Sequence, residues 1–495
     1  MSYLLGFDSG TSSIKATLLD AQSGKVVVSA TSPSKEMEII SVQSGWAEQS
    51  PEMWWENLCN ASKELISKSG LDPSEIEAIG ITYQMHGLVA VDKKLQPLRA
   101  SIIWCDSRAV EIGNTANKEL GEDFCLANYL NSPGNFTASK LKWVKDNEPE
   151  IYDKIYKVML PGDYLAMKMT GDIITTVSGL SEGIMWNFKE KRVASELLDY
   201  YGISPELLGE PRNTFSLHGR VTKQAAKAMG LKEGIKVAYR AGDQPNNAFS
   251  LKVLEPGEVA ATAGTSGVIY GIGNKAAYDH QSRVNTFAHV NYTTEDPRYG
   301  GLLCLNGTGI LNSWLKHNIA SGIDYPEMNE IARSAPVGSA ELSILPYGNG
   351  AERTLSNQNL GASLIGINFN VHDKSHILRA AQEGIVFALN YGLDIMREMG
   401  IKSNKIRAGK ANMFLSPLFA EAFATVTGAE VELYDTDGSQ GAARGAGLAC
   451  GLYKAPEEAY VGFEKLDSIE PNESIKGAYQ QAYGLWLSRL ESQLN

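Results

Sequence analysis

The chain has 495 residues, 43% hydrophobic and 21% charged, a globular composition that argues against disorder. Its 45 Lys and Arg against 57 Asp and Glu leave a net charge of −12 with no basic run, so nucleic acid and anionic membranes are poor partners by bulk electrostatics. The length exceeds one ordinary core and suits two domains of roughly 250 residues.

Strand-like runs at Tyr3–Phe7, Ile14–Asp20 and Lys25–Thr31, joined by turns at Asp8–Ser12 and Gln22–Gly24, predict an antiparallel meander. Ser50-Pro51-Glu52 predicts a helix start, with Ser as N-cap, Pro at N1 and an acid in the first turn. Ile76–Thr82 reads as a strand ending in Gln84-Met85-His86-Gly87, and Ile102–Trp104 as another, after which Cys105–Arg108 is expected to open a helix. A strand at Ile235–Tyr239 ends in Ala241-Gly242-Asp243-Gln244-Pro245, where Pro245 biases Gln244 away from helix and predicts an extended turn. In the second half, Val259–Tyr270 brackets a second Gly-Thr-Ser turn, and Leu302–Leu305 is a strand. His376–Met399 reads as a long helix closed by Gly400, and Gly438–Ala443 as the start of a tightly packed last helix. Strands followed by β–α units, repeated once with a boundary near 245 and no low-complexity linker, predict a mixed α/β protein whose halves meet across a cleft. The five cysteines form no CxxC pair and read as buried thiols of a reducing compartment. The first residues run straight into a strand and no apolar run reaches about 18 residues, so a cytoplasmic, non-membrane protein is expected.

The chemistry concentrates in a few turns. Gly10-Thr11-Ser12 and Gly264-Thr265-Ser266 each offer backbone N–H groups and two hydroxyls, a nest for phosphate oxygens. One such turn is an ordinary hairpin. Two, one early in each half, suggest a polyphosphate gripped from both sides. Asp8, at a strand end beside the first turn, would hold a magnesium ion directly or through water, the plain alternative being an Asp that caps its own turn. Lys15 would add a positive donor, unless it is a solvated strand lysine. Asp243 would accept a proton from a hydroxyl attacking phosphorus, against the plainer reading of a hinge-turn Asp. His86 would bond a sugar hydroxyl, with Trp104 an apolar wall and Asp106 an acceptor; a structural His and a core Trp are the bland alternatives. Asn306–Trp314 and Ala408–Asn412 are loops able to approach a nucleotide. The chain has no Walker GxxxxGK[ST], no GxGxxG and no kinase HRD.

Taken in order, Gly6–Ser12, Trp46–Pro51, Gln84–Gly87, Trp104–Arg108, Phe136–Trp143, Leu160–Leu165, Ala263–Gly267 and Leu345–Tyr347 resemble the FGGY family of carbohydrate kinases nearly end to end. The resemblance implies two actin-like (ribonuclease H-like) ATPase domains with a cleft between them, residues 1–245 binding sugar and carrying the first phosphate turn, residues 246–495 binding nucleotide. It implies transfer of the ATP γ-phosphate, with Mg2+, to a terminal hydroxyl of a small ketose, D-xylulose first, with ribulose, glycerol or gluconate as other acceptors; it allows a homodimer. Asp243 matches the family's catalytic base and Asp8 its magnesium-side aspartate. Met85, His86 and Gln244 match sugar positions. Thr11, Ser12, Lys15, Gly264 and Thr265 match the phosphate turns, and Gly309, Asn312, Ser313, Gly409 and Asn412 the nucleotide-side loops. Gln244 stands where the ketose branch usually has Asn, the adenine loop keeps only Gly409 of a glycine run, and Ser178–Gly183 lacks the Asp-Ala-Ser often seen there. The rival class is a chaperone-like or actin-like ATPase, which needs no sugar segment; a non-catalytic sensor would be expected to lose Asp8 or Asp243.

Overall fold

The computed structural model describes residues 2–494. The first half forms a six-stranded sheet from β1 (Tyr3–Ser9), β2 (Ile14–Asp20), β3 (Val26–Ser32), β4 (Ile76–Tyr83), β5 (Phe215–Arg220) and β6 (Lys236–Gly242), in the order β5-β6-β4-β1-β2-β3. The second half forms a seven-stranded sheet from β7 (Val259–Ala263), β8 (Gly267–Gly273), β9 (Asn285–Ala288), β10 (Tyr299–Leu305), β11 (Lys405–Gly409), β12 (Glu430–Tyr434) and β13 (Lys465–Ile469), in the order β9-β10-β8-β7-β11-β12-β13. Each sheet contains three antiparallel strands followed by two parallel ones. The expected duplicated α/β architecture is therefore present. The second Gly-Thr-Ser hairpin is tighter, since Ala263 pairs Gly267 across three residues where Ser9 pairs Ile14 across four.

The helices that place the site are α1 (Pro51–Ser69), α2 (Thr137–Asn147), α3 (Pro161–Thr170), α4 (Val177–Glu182), α5 (Asp243–Ser250), α6 (Gly309–Asn318), α7 (Lys374–Glu398), α8 (Gly438–Ala449) and α9 (Lys476–Leu494). Pro51 at N1 and Gly70 in the left-handed region bound α1, although the Ser50 side chain makes no cap bond.

Four local expectations change. Asp243-Gln244-Pro245 is the first turn of α5, not an extended turn, because a Pro in a first turn removes no intrahelical bond. Cys105–Arg108 is a loop; the next helix starts at Val110. Helix α8 is followed by α9 and so is not the last. Cys59 and Cys125 are buried and all five thiols are free, but Cys105 is exposed.

Helix α8 belongs to the second half in sequence but packs on the first sheet. Gly6 and Gly80 face it so closely that a Cβ on either would run into the carbonyl oxygens of Ser439 and Ala442. On the other side of the interface, the edge strand β9 is pinned to the first half. Asn131 donates to Thr286 O at 2.6 Å, Ser178 donates to Ala288 O at 2.8 Å, and Ser181 accepts from the Ala288 N–H at 2.9 Å. The halves thus interlock around a cleft, and no helix among the described residues is long and apolar enough to cross a membrane.

Candidate active site

The parallel strands end in step, Ser9 pairing Tyr83 and Tyr83 pairing Gly242, so the residues after them converge at one edge of the first sheet. A polar relay holds the first Gly-Thr-Ser turn there. Trp54 Nε1 and Gln84 Nε2 both donate to Gln49 Oε1, at 3.1 and 2.9 Å, while Gln49 Nε2 donates to Thr11 O at 2.8 Å. The Thr11 hydroxyl accepts from Trp104 Nε1 at 2.9 Å and donates to Gln84 Oε1 at 3.3 Å. Trp104 is 49% exposed, a wall of the cleft rather than a core residue. Ser12 is exposed at the tip of the turn.

Met85 is buried and His86 takes left-handed backbone angles (φ 61°). His86 Nδ1 lies 2.9 Å from Glu182 O. Burial pulls its pKa down to about 3, so the ring is neutral; a carbonyl can only accept, so Nδ1 carries the proton and Nε2 is left as an acceptor for a hydroxyl. Lys140, on α2, donates to His86 O and Ile103 O, both at 2.9 Å, and burial brings its ammonium down to about 7. Beneath this segment, the buried Glu182 carboxyl ends α4 against Gly242, where a Cβ would lie 2.5 Å from Oε2. Burial and the nearby Asp243 and Asp163 raise its pKa well above that of an ordinary carboxyl. Asp106 does not join this group: both its oxygens are committed, to Ala47 N–H at 2.6 Å and to the Arg108 guanidinium, so it shapes its own loop.

The charged centre draws on both halves. Burial pushes Asp243 up to about 6, with backbone and side-chain groups of Gln244 opposing the rise. Burial and the charges of Asp243 and Asp437 raise Asp8 to about 7, with Lys15 opposing. Lys15, directly across the hairpin from Asp8, reaches Asp437 Oδ2 at 2.6 Å. Asp437 also caps α8 by accepting from Gln440 N–H at 3.0 Å, and a side chain at Gly438 would collide with Asp8. Three carboxylates against one ammonium leave a surplus of negative charge that fits a hard divalent cation. Among the described residues no cluster of three His, Cys, Asp or Glu has metal-ligating geometry, so the fit is to an ion held largely by water and phosphate oxygens.

This crowding has a measurable cost. The native state holds the Asp8 proton more tightly than an ordinary carboxyl (3.8), so without cation, stability is lost as pH rises from about 4 through 7 and stays low above it. Asp8→Asn is expected to raise Tm at pH 8 in chelator by at least about 3 °C, a change of roughly 1 kcal/mol for a domain this size. The gain should narrow toward pH 5, and Mg2+ should raise the wild-type Tm more than that of the variant. Differential scanning calorimetry of both proteins at the two pH values checks it.

On the second half, a cavity of about 870 Å³ opens between the second Gly-Thr-Ser turn, α6 and the Asn412–Pro417 segment. Gly264, Thr265, Gly309, Asn312, Ser313 and Asn412 all line it. Gly309 N–H donates to Gly264 O at 2.9 Å, and Ile310 N–H to Thr265 O at 3.2 Å, so the start of α6 locks the turn in place. Ile310, Tyr325 and Leu415 line the cavity while remaining exposed, an apolar mouth suited to a flat aromatic ring. Gly409 ends β11 and does not line the cavity.

Asp437, Gln49, Lys140, Glu182 and Phe136 border this centre without a role assigned to them from the sequence. Gln49, Lys140 and Phe136 lie in the family-like segments, Glu182 in the divergent Ser178–Gly183, and Asp437 is a helix-capping Asp before the glycine-rich start of α8.

A duplicated α/β fold, with a Gly-Thr-Ser turn in each half and a carboxylate centre between them, fits a two-domain phosphotransferase. The FGGY carbohydrate kinase N-terminal domain matches residues 3–250 and the C-terminal domain residues 259–452. The chain belongs to the FGGY family of carbohydrate kinases, and it is an enzyme of that kind with ATP as co-substrate. It is 30% identical to the xylulose kinase of Staphylococcus epidermidis ATCC 12228, over 98% of this chain and 95% of that one. It is 28% identical to the xylulose kinase of Bacillus subtilis, over 98% and 97%. The crystal structure of ligand-bound xylulose kinase from Lactobacillus acidophilus superimposes with a TM-score of 0.90 at 23% identity, covering 99% of this chain and 98% of that one.

Proposed function

We propose that this kinase transfers the ATP γ-phosphate to the terminal hydroxyl of D-xylulose, giving D-xylulose 5-phosphate, with Mg2+ as cofactor. The observation that carries the chemistry is Asp243, a carboxylate with a pKa near 6 at the meeting of three strand ends and two domains. The relatives' substrate and the Met85-His86 segment support the choice of sugar.

The sugar sits on the first domain (1–245), against Met85, His86 and Trp104, and the nucleotide fills the cavity of the second (246–495). Asp243 takes the proton as the hydroxyl oxygen bonds to the γ-phosphorus and the bond to the β-phosphate oxygen breaks. Thr11 and Thr265 orient the phosphates from opposite sides, and Lys15 offsets charge beside Asp437. Mg2+, held near Asp8, would neutralise phosphate oxygens. The reading extends to a cytoplasmic enzyme and a homodimer, which sizing in solution would test.

A coupled ADP-release panel over xylulose, ribulose, glycerol, gluconate and deoxysugars tests the proposal. D-Xylulose is expected to exceed every other acceptor by at least about tenfold in kcat/KM. Gln244 reaching Asp243 gives one specific reason to include glycerol, whose kinases carry Gln here. Equal ADP release with no sugar would favour the chaperone-like ATPase class.

A further inference from the structure

Lys15 and Arg108 find carboxylates, and Lys140 spends its ammonium on two carbonyls. Arg353 is different. It begins the short turn Arg353–Leu355 in the second half, is half-buried, and has no carboxylate within 4.0 Å among the described residues. Among the described residues its side chain makes one hydrogen bond, a long one from Nη1 to Ser282 O at 3.4 Å. A guanidinium has five N–H donors, so most of this fork is free to meet a ligand.

Arg353 stands one aromatic ring away from the segment on which the proposed function seats the sugar. The Arg353 guanidinium carbon lies 5.7 Å from the Phe136 ring centre, Phe136 meets the His86 ring edge-on at 4.9 Å, and Phe287 on β9 closes the group at 5.5 Å from His86. Arg353 is near enough for its charge to act on His86. The preceding residue fixes its position: the Glu352 carboxylate accepts from the Asn306 N–H at 3.0 and 3.2 Å, fastening this turn to the end of β10. Arg108 shows the contrast. Its donors are spent on Asp106 and Glu48, and its guanidinium lies 3.9 Å over Trp46, a structural arginine with nothing left to give.

We propose that Arg353 is a sugar-binding residue supplied by the second domain, donating from its fork to hydroxyl or ketone oxygens of the sugar held at Met85 and His86. It completes a pocket that the first domain alone leaves open, and makes sugar affinity depend on how the two domains meet. The inference rests on the sugar-kinase reading.

The test uses the full-length enzyme with D-xylulose and ATP. Arg353→Gln is expected to raise the sugar KM at least about 10-fold, the size of a lost charge-assisted hydrogen bond, while the ATP KM changes less than about 3-fold. Calorimetric D-xylulose binding without nucleotide should weaken by the same factor. Arg353→Lys, which keeps the charge and loses the fork, should fall between wild type and Gln, and it decides the matter if the Gln variant does not fold. An unchanged sugar KM in either folded variant overturns the proposal, and so does an equal rise in ATP KM, which would make Arg353 a phosphate contact. If the wild type phosphorylates no sugar, the functional reading itself fails; if it does and the variants bind sugar normally, only the role of Arg353 fails.

Discussion

Asp243→Ala is expected to lower kcat by at least about 10²-fold, the range lost with a general base, while the protein stays folded. The fold should survive because the side chain costs rather than contributes: its pKa of about 6 reflects a desolvated carboxylate whose cost Gln244 only partly offsets. Alanine at the first position of α5 is also a good helix residue. The sign of the pH effect follows from the same value. The base must be deprotonated, so wild-type kcat/KM should fall about tenfold per pH unit below about 6, with saturating Mg2+ holding Asp8 ionised. The residual activity of Asp243→Ala should lack that acidic limb. A folded variant with near-normal turnover, or one that keeps the limb, removes Asp243 from the role of base.

Gly80→Ala should be among the most damaging single methyl groups in the molecule. The new Cβ would meet the Ala442 carbonyl oxygen on α8 and sit 3.3 Å from the Ala446 Cβ, and neither a helix backbone nor a central strand can give way cheaply. A loss of roughly 3 kcal/mol or more is expected, at the upper end for point substitutions. Activity should fall with it, because α8 carries Asp437 and Gly438 at its start. Gly484→Ala provides the control. That glycine lies inside α9 with nothing within 4 Å of its would-be Cβ, so alanine should stabilise by about 0.5–1 kcal/mol. Paired denaturant melts would check both, and equal effects at the two positions would show that α8 is not held as described.

The opening meander, both Gly-Thr-Ser hairpins and the long helix α7 were readable because each is written locally, in alternating apolar runs, turn residues and 3.6-residue periodicity. The same local reading failed at Pro245. Proline's bias on the preceding residue points to an extended turn, but its tolerance in a first helical turn lets Asp243 begin α5. Asp106 looked available because its partner Arg108, only two residues on, could equally have faced solvent; burial under Trp46 fixed the pair. Gln49, Glu182 and Arg353 carry no local signal of the contacts they make. Their significance comes from tertiary neighbours 35 to more than 200 residues away, such as Gln84 beside Gln49 and Phe136 beside Arg353. The charge surplus around Asp8 is of the same kind, since Asp437 lies over 400 residues further along the chain.

The packing of α8 on the first sheet also sets a timetable for biosynthesis. Leu4, Ala78, Ala238 and Ala241 form one apolar face with Ala442, Ala443 and Ala446, so that face stays uncovered until the ribosome has made and released residues 438–449. Roughly 200 residues separate the last strand of that sheet from the end of this helix. At about 5–20 residues per second, the nascent sheet would wait about 10–40 s for its cover. A fragment ending near residue 250 would leave that apolar face without the helix that covers it in the full chain.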